Sequence, residues 1–189
     1  MENFTFESLA IPSVTLVQTR KFDDTRGYFV ETFNQMDFAQ AGIRCNFVQD
    51  NQSLSIRPGT IRGLHFQVPP HSQAKLVRVL VGSVFDVAVD LRRSSPSFGR
   101  WCAATLTAEQ GNQLFVPRGV AHAFCTLEPN TQVAYKVDDY YAPECEAGLL
   151  WNDPDLGIDW PVEARQVAIS KKDAALPRFA DFESPFVYR

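Results

Sequence analysis

The chain has 189 residues, 45% of them apolar and 21% charged, and a formal net charge of −4. That length supports one well-filled domain spanning residues 1–189, and the mild acidity gives no footing for nucleic-acid binding, which calls for a basic surface. No stretch approaches the ~20 consecutive apolar residues of a membrane span, and Glu2 stands where a secretory leader would carry basic residues, so a cytoplasmic protein without a membrane partner is expected.

In chain order, residues 11–33 read as two strand-like runs around a polar turn at Asp23-Asp24-Thr25, with Arg26-Gly27 leading into the second run. Glu31 shares the parity of Phe29 and Phe33. A carboxylate on an aromatic face needs a partner if buried, and otherwise sits at a strand rim reaching solvent. The segment 34–43 is the best short helix, with Asn34 placed to cap it and Gly42 to end it. Arg57-Pro58-Gly59 then turns into a strand carrying Arg62 and His65.

The stretch from Arg62 to Arg92 reads as the centre of the fold. Leu76–Val81 and Val84–Leu91 are β-rich runs meeting at Gly82-Ser83, and in the second run Phe85, Val87, Val89 and Leu91 share one parity while Asp86 and Asp90 take the other. Period-two patterning about a two-residue turn predicts an antiparallel hairpin with the aspartates on its polar side. Two further β-like runs follow at 101–107 and 113–117, then Pro-Arg-Gly-Val-Ala-His-Ala-Phe at 117–124, then a strand over Gln132–Val137 in which Tyr135 shares the inward parity of Val133 and Val137. From Tyr140 the chain is rich in Pro and Asp, as expected of an irregular arm wrapped around the rest, and Ser170 precedes Asp173 by three in capping-box fashion. Many short strands, little helix and 15 Phe to fill an interior predict an all-β antiparallel barrel or jelly roll with a few short helices. Cys45, Cys102, Cys125 and Cys145 are widely spaced without a CxxC pair, which favours buried reduced thiols over a disulfide or zinc role.

Pro117, Gly119 and His122 stand in the spacing PxGxxH, similar to the second half of the metal-binding signature of cupin barrels. The first half is incomplete: the strand at His65 offers Gln67 where a second His would stand, and the chain has three His in all, at 65, 71 and 122. No metal and no other cofactor is therefore expected. Side chains must then do the chemistry. A His beside an acid is a general base, a Lys stabilises an enolate oxygen, and an inward Tyr delivers a proton, together a set for moving a proton next to a carbonyl. On residue type alone, His65 also fits a core histidine, Lys75 a surface charge and Tyr135 a core aromatic.

The segments QDN at 49–51, RGLHFQ at 62–67, the run 73–92, SPSFGRW at 95–101, PRGVAHAF at 117–124, the run 135–161 and SKKDA at 170–174 together resemble the dTDP-4-dehydrorhamnose 3,5-epimerases. The resemblance covers nearly the whole chain in order. It implies a metal-free cupin jelly roll, usually a homodimer, that epimerises dTDP-4-dehydro-6-deoxy-glucose at C3 and C5 in dTDP-L-rhamnose synthesis. It implies that His65 is the base, Asp173 its acidic partner, Tyr135 the proton donor on the opposite face and Lys75 the group at the C4 oxygen. Arg26, Glu31, Gln49, Asn51, Arg62, His122, Glu146 and Lys172 match substrate-contacting positions, the basic ones suited to the diphosphate. Glu31 thereby gains a reason to be held inward. One departure is Gln52, where the family often has a His after QDN. Relatives that invert only C3 or only C5 share nearly all these residues and form the nearest alternative; a metal-dependent cupin oxygenase and a non-catalytic sugar-sensing cupin are more distant ones.

Overall fold

The structure, a computed structural model, describes residues 3–188. Strands β1 (Phe4–Ser8), β2 (Thr15–Thr19), β3 (Lys21–Asp24) and β4 (Gly27–Val30) precede helix α1 (Gln35–Gln40). Then come β5 (Gln49–Ser55), β6 (Ile61–Gln67), β7 (Lys75–Val81), β8 (Ser83–Asp90), β9 (Trp101–Thr107), β10 (Gln113–Val116), β11 (Val120–Thr126), β12 (Thr131–Val137), β13 (Glu146–Gly148) and a single helical turn, α2 (Lys171–Ala174). Two antiparallel sheets face each other, one ordered β1-β2-β10-β7-β12-β5 and the other β13-β6-β11-β8-β9, while β3 and β4 form a separate two-stranded hairpin. This is the cupin-type jelly roll expected from the strand pattern.

The apolar residues form three layers because the C-terminal arm covers the outer face of the five-stranded sheet and α1 covers part of the outer face of the other. Val77 and Val79 of β7, Val84 and Ala88 of β8, Leu114 and Val116 of β10, Val120 and Phe124 of β11 and Val133 of β12 fill the space between the sheets. Leu64, Phe66, Val87, Val89, Ala121 and Ala123 point to the outer side of the five-stranded sheet, where Leu149, Leu156 and Phe186 of the C-terminal arm cover them. The arm is tied to the barrel by parallel bridges at Thr60–Ala168 and Arg93–Val187. Helix α1 covers the outer face of the other sheet with Phe38, packed among Phe4, Leu76 and Phe115; burying one such side chain contributes about 1.5–3 kcal/mol. Its ends are those the sequence predicts: the Asn34 side chain accepts from the amides of Met36 and Asp37, and Gly42 closes the helix at φ +89°.

The expected central hairpin does not form. β7 pairs with β10 and β12 in one sheet, whereas β8 pairs with β11 and β9 in the other, so Gly82 is a corner at which the chain crosses between sheets. Two β-rich runs separated by a glycine look alike whether they pair with each other or part company; here β8 is buried on both faces, β7 is buried over its first three residues, and each takes a neighbour on both edges. The aspartates correct the same expectation. Asp86 and Asp90 are both fully buried rather than lying on a polar side. Asp90 accepts from Arg92 Nε at 2.8 Å and from the hydroxyls of Ser95 and Ser97 at 2.6 and 2.7 Å, which satisfy its charge. Desolvation pushes its pKa up, but these donors outweigh it and leave the carboxyl below its usual range.

At the corner, Gly82 has φ +80°, and a Cβ added there lies 2.5 Å from Thr131 Oγ1. Gly82→Ala is expected to cost about 2 kcal/mol and lower Tm by about 4–8 °C in a thermal melt; an unchanged Tm would show that the crossing tolerates a side chain.

Candidate active site

Between the sheets, at one end of the barrel, lies a cavity of about 460 Å³ lined by Arg62, His65, Lys75, His122, Tyr135 and Asp173 together with Ser53, Thr60, Ile61, Phe124 and Ala168–Ser170. Strand alternation explains why these side chains meet. His65 lies opposite in parity to Leu64 and Phe66, so as those two pack beneath the arm it faces inward. Lys75 shares the parity of Val77 and Val79, His122 that of Val120 and Phe124, and Tyr135 that of Val133, all of them interior residues. Register then aligns the strands: His122 pairs with His65 across β11 and β6, and Tyr135 lies opposite both Val77 and Asn51. The five-stranded sheet thus carries His65 and His122, and the six-stranded sheet carries Lys75 and Tyr135 on the facing wall.

Asp173 reaches His65 from the C-terminal arm. Ser170 Oγ accepts from the Asp173 amide at 3.0 Å, one half of the predicted capping box. The other half is absent because the Asp173 carboxylate turns to the site instead, with Oδ1 2.9 Å from His65 Nε2 and Oδ2 accepting from the Gly63 amide at 3.3 Å. An ionised carboxylate only accepts, so Nε2 carries the proton and Nδ1 is left as the basic nitrogen. Burial lowers the His65 pKa below its ordinary value; the hydrogen bond and charge of Asp173 oppose that shift, while the charges of Lys75 and His122 reinforce it.

Lys75 is buried, and its Nζ donates to the His65 carbonyl oxygen at 3.1 Å. Desolvation brings its pKa down to about 8, against the pull of Asp86 and Glu146, so the ammonium persists at neutral pH and loses its proton readily above it. Burial raises the pKa of Tyr135; Arg62 opposes that shift and Glu146 adds to it, so the phenol is neutral and a donor at neutral pH. A neutral imidazole, an ammonium and a phenol around one cavity can remove a proton from carbon, hold the resulting enolate and return a proton from the other wall. Among the described residues no three His, Cys, Asp or Glu side chains converge as a metal site would require.

A smaller adjoining space of about 230 Å³ shares His65, Lys75 and Tyr135 and adds Gln49, Asn51 and Glu146. Glu146 Oε2 accepts from Lys172 Nζ at 2.6 Å and from Tyr141 Oη at 2.9 Å, so Lys172 stands at this rim. Those donors hold the Glu146 carboxyl below its usual range, with the Lys172 bond contributing most. Gln52 points away from the cavity and bonds Gln132 at 2.9 Å, so the departure from the family pattern lies outside the pocket.

Two of the sequence-selected residues are not at this cavity. Arg26 sits at the exposed tip of the β3–β4 hairpin, paired with Asp24, and Glu31 accepts from Asn3 at 2.7 Å and Asn34 at 3.1 Å. Conversely, sequence reasoning passed over Ser53, which lines the cavity, and Asp86, which is bonded to the cavity residue His122. Ser53 Oγ is buried without a hydrogen-bond partner, and its parity with Gln49 and Asn51 on β5 was a readable signal. Asp86 accepts from His122 Nε2 at 2.8 Å with Oδ1, while its buried Oδ2 has no partner. A buried acceptor left unpaired costs about 1–3 kcal/mol, so this oxygen stands out among the buried carboxylates.

Fold and site together define a cupin-type barrel built for proton transfer at carbon. The sequence profile described as dTDP-4-dehydrorhamnose 3,5-epimerase matches residues 8–181. A dTDP-4-dehydrorhamnose 3,5-epimerase of Sinorhizobium fredii is 46% identical over 188 residues, covering 100% of this chain and 96% of the relative. One from Pseudomonas aeruginosa is 49% identical over 174 residues, with 92% and 94% covered. The crystal structure of a dTDP-6-deoxy-D-glucose-3,5-epimerase from Legionella pneumophila, in complex with dTDP-4-keto-L-rhamnose, superposes with a TM-score of 0.93 at 40% identity over 98% of this chain and 99% of that one. The chain belongs to the dTDP-4-dehydrorhamnose 3,5-epimerase family.

In Asp173→Asn, burial acts on His65 without an opposing carboxylate, so the midpoint of the His65 ring in a proton NMR titration is expected to fall further below the ordinary imidazole value. A midpoint that stayed in place or rose would remove Asp173 as the electrostatic partner of His65.

Proposed function

We propose that this protein is an isomerase that converts dTDP-4-dehydro-6-deoxy-D-glucose into dTDP-4-dehydro-L-rhamnose by inverting C3 and C5, a step of dTDP-L-rhamnose synthesis. The observation that carries this reading is the His65–Asp173 pair on one wall of the cavity with Lys75 and Tyr135 on the facing wall. The C3 and C5 hydrogens flank the C4 ketone and are acidic because the carbanion delocalises onto O4. His65 Nδ1 takes the proton and becomes an imidazolium beside Asp173. The electron pair moves onto O4 as an enolate, to which the Lys75 ammonium donates, a contribution of about 2.7–4 kcal/mol for one well-placed donor. The enolate then collapses, taking the Tyr135 proton from the opposite face, which inverts the centre. The tyrosinate recovers a proton from solvent and His65 releases its own, so each inversion is proton-neutral and needs no cofactor.

Arg62 and His122 line the cavity, Gln49, Asn51 and Glu146 the smaller space beside it, and Lys172 is bonded to Glu146 at its rim; all bind the substrate in this reading, the cations serving the diphosphate and the amides the nucleoside. Arg26 and Glu31 are reconciled by a homodimer. They match substrate-contacting positions yet lie away from the cavity of their own chain, and their hairpin exposes Tyr28 and Phe29, 58% and 70% accessible, as a surface for a second copy. The hairpin of one copy then completes the pocket of the other. Among the described residues no helix is long and apolar enough to cross a membrane. The four cysteines are unpaired, in keeping with a reducing cytoplasm.

Incubation with dTDP-4-dehydro-6-deoxy-glucose in heavy water is expected to place deuterium at C3 and C5 with inversion at both. His65→Asn should abolish exchange, a loss of at least 10²-fold, whereas Tyr135→Phe should retain exchange and lose inversion. Label at one centre alone would assign a single-centre epimerase, and exchange surviving in His65→Asn would require another base.

The dimer is tested by mixing. Arg26→Ala and His65→Asn chains, each impaired, should on subunit exchange regain about a quarter of the parent activity, since half of the dimers are mixed and each mixed dimer holds one intact site. No recovery after demonstrated exchange would place each site within a single chain.

A further inference from the structure

Asp86 belongs to neither the base pair nor the residues expected to hold substrate, yet its carboxylate is fully buried on the inner face of β8. One oxygen accepts from His122 Nε2 at 2.8 Å, and the other meets no donor. Elsewhere in this protein a buried aspartate is fully served: Asp90, four residues on, has Arg92, Ser95 and Ser97 around it. Asp86 thus holds His122 with one oxygen and keeps a second buried carboxylate oxygen that no protein donor serves. Lys75, which lines the same cavity as His122, donates its ammonium to a backbone carbonyl and forms no ion pair with a carboxylate among the described residues.

We propose that Asp86 is a positioning residue for the reaction, the fixed counter-charge that keeps Lys75 protonated inside the barrel while holding His122 through its Nε2–H. The inference rests on reading Lys75 as the donor to O4. A direct Lys–Asp ion pair would tie up the ammonium that must serve the enolate. A carboxylate one step removed, anchored to His122, sustains the cation without competing for its protons. The groups facing Lys75 sort accordingly. Asp86 on β8 and Glu146 on β13 favour its charged form, and burial opposes it. His65 on β6, His122 on β11, Arg62 on β6, Tyr135 on β12 and Asp173 of the arm complete its titratable surroundings. Glu146 is bound to Lys172 and Tyr141 at the rim, which leaves Asp86 as the interior carboxylate available for this role.

Asp86→Asn keeps an oxygen for His122 and removes only the charge. With 13C-labelled lysine, the Lys75 Cε resonance, assigned by its loss in Lys75→Met, is expected to titrate about one pH unit or more lower in Asp86→Asn than in the parent. Because loss of the carboxylate favours the neutral amine, the alkaline limb of kcat should move down by the same amount. The rate then falls about fivefold at pH 8 and stays within about twofold at pH 6, whereas damage to packing alone would lower both alike. In the unsubstituted protein the Asp86 carboxyl carbon should show a step at the Lys75 midpoint, abolished in Lys75→Met, which provides the test if Asp86→Asn does not fold. A Lys75 midpoint unmoved in Asp86→Asn, or no step at Asp86, would overturn the proposal. A midpoint that falls while the rate profile stands still would support Asp86 as the counter-charge and overturn the reading of Lys75 as the donor to O4.

Discussion

The structure depends on keeping charged groups functional between two sheets whose other inner residues are apolar. A lysine at this depth tends to lose its proton and a histidine to stay neutral, and both tendencies are visible here. The barrel tempers them with carboxylates at set distances: Asp173 in contact with His65, Glu146 at the rim, Asp86 in the interior. Each sits on a different element, so the electrostatics of the cavity depend on the register of β6, β8 and β13 and on the docking of the arm.

That dependence gives the remaining architecture its purpose. β8 and β11 are buried on both faces, which makes the wall that carries His122 and Asp86 closely packed. The apolar layer beneath the C-terminal arm does more than protect the sheet. By seating Leu149, Leu156 and Phe186 against Leu64, Phe66 and their neighbours, it brings the short turn of Lys171–Ala174 over the cavity and delivers Asp173 to His65. A site assembled from residues 108 apart in sequence is thus held by packing, with the hydrogen bond setting the final geometry. Helix α1 does the corresponding work behind β7 and β10, backing the strand that carries Lys75.

The family relationship and the geometry point to the same chemistry by separate routes. Similarity to dTDP-4-dehydrorhamnose 3,5-epimerases extends along essentially the full chain. The arrangement of an imidazole on one wall and a phenol and an ammonium on the facing wall independently suits removal and return of a proton across a planar enolate.

Period-two alternation determined that Tyr135 faces with Val133 and Val137; for His65, Lys75 and His122 it fixed only which neighbours share their side, because a strand offers two sides and on β6 both carry buried residues. The cap of α1 and the Ser170–Asp173 turn were equally local and equally legible. Tertiary structure decided what no local pattern encodes. It decided that β7 and β8 part at Gly82 into different sheets, since a run buried on both faces gives no sign of its partners. It decided that Asp86 and Asp90 lie inside, since alternation distinguishes two sides without saying that both are covered. It also decided that Arg26 and Glu31 stand away from the pocket of their own chain, because a hairpin that folds apart from the sheets is placed by long-range contacts and not by its own sequence.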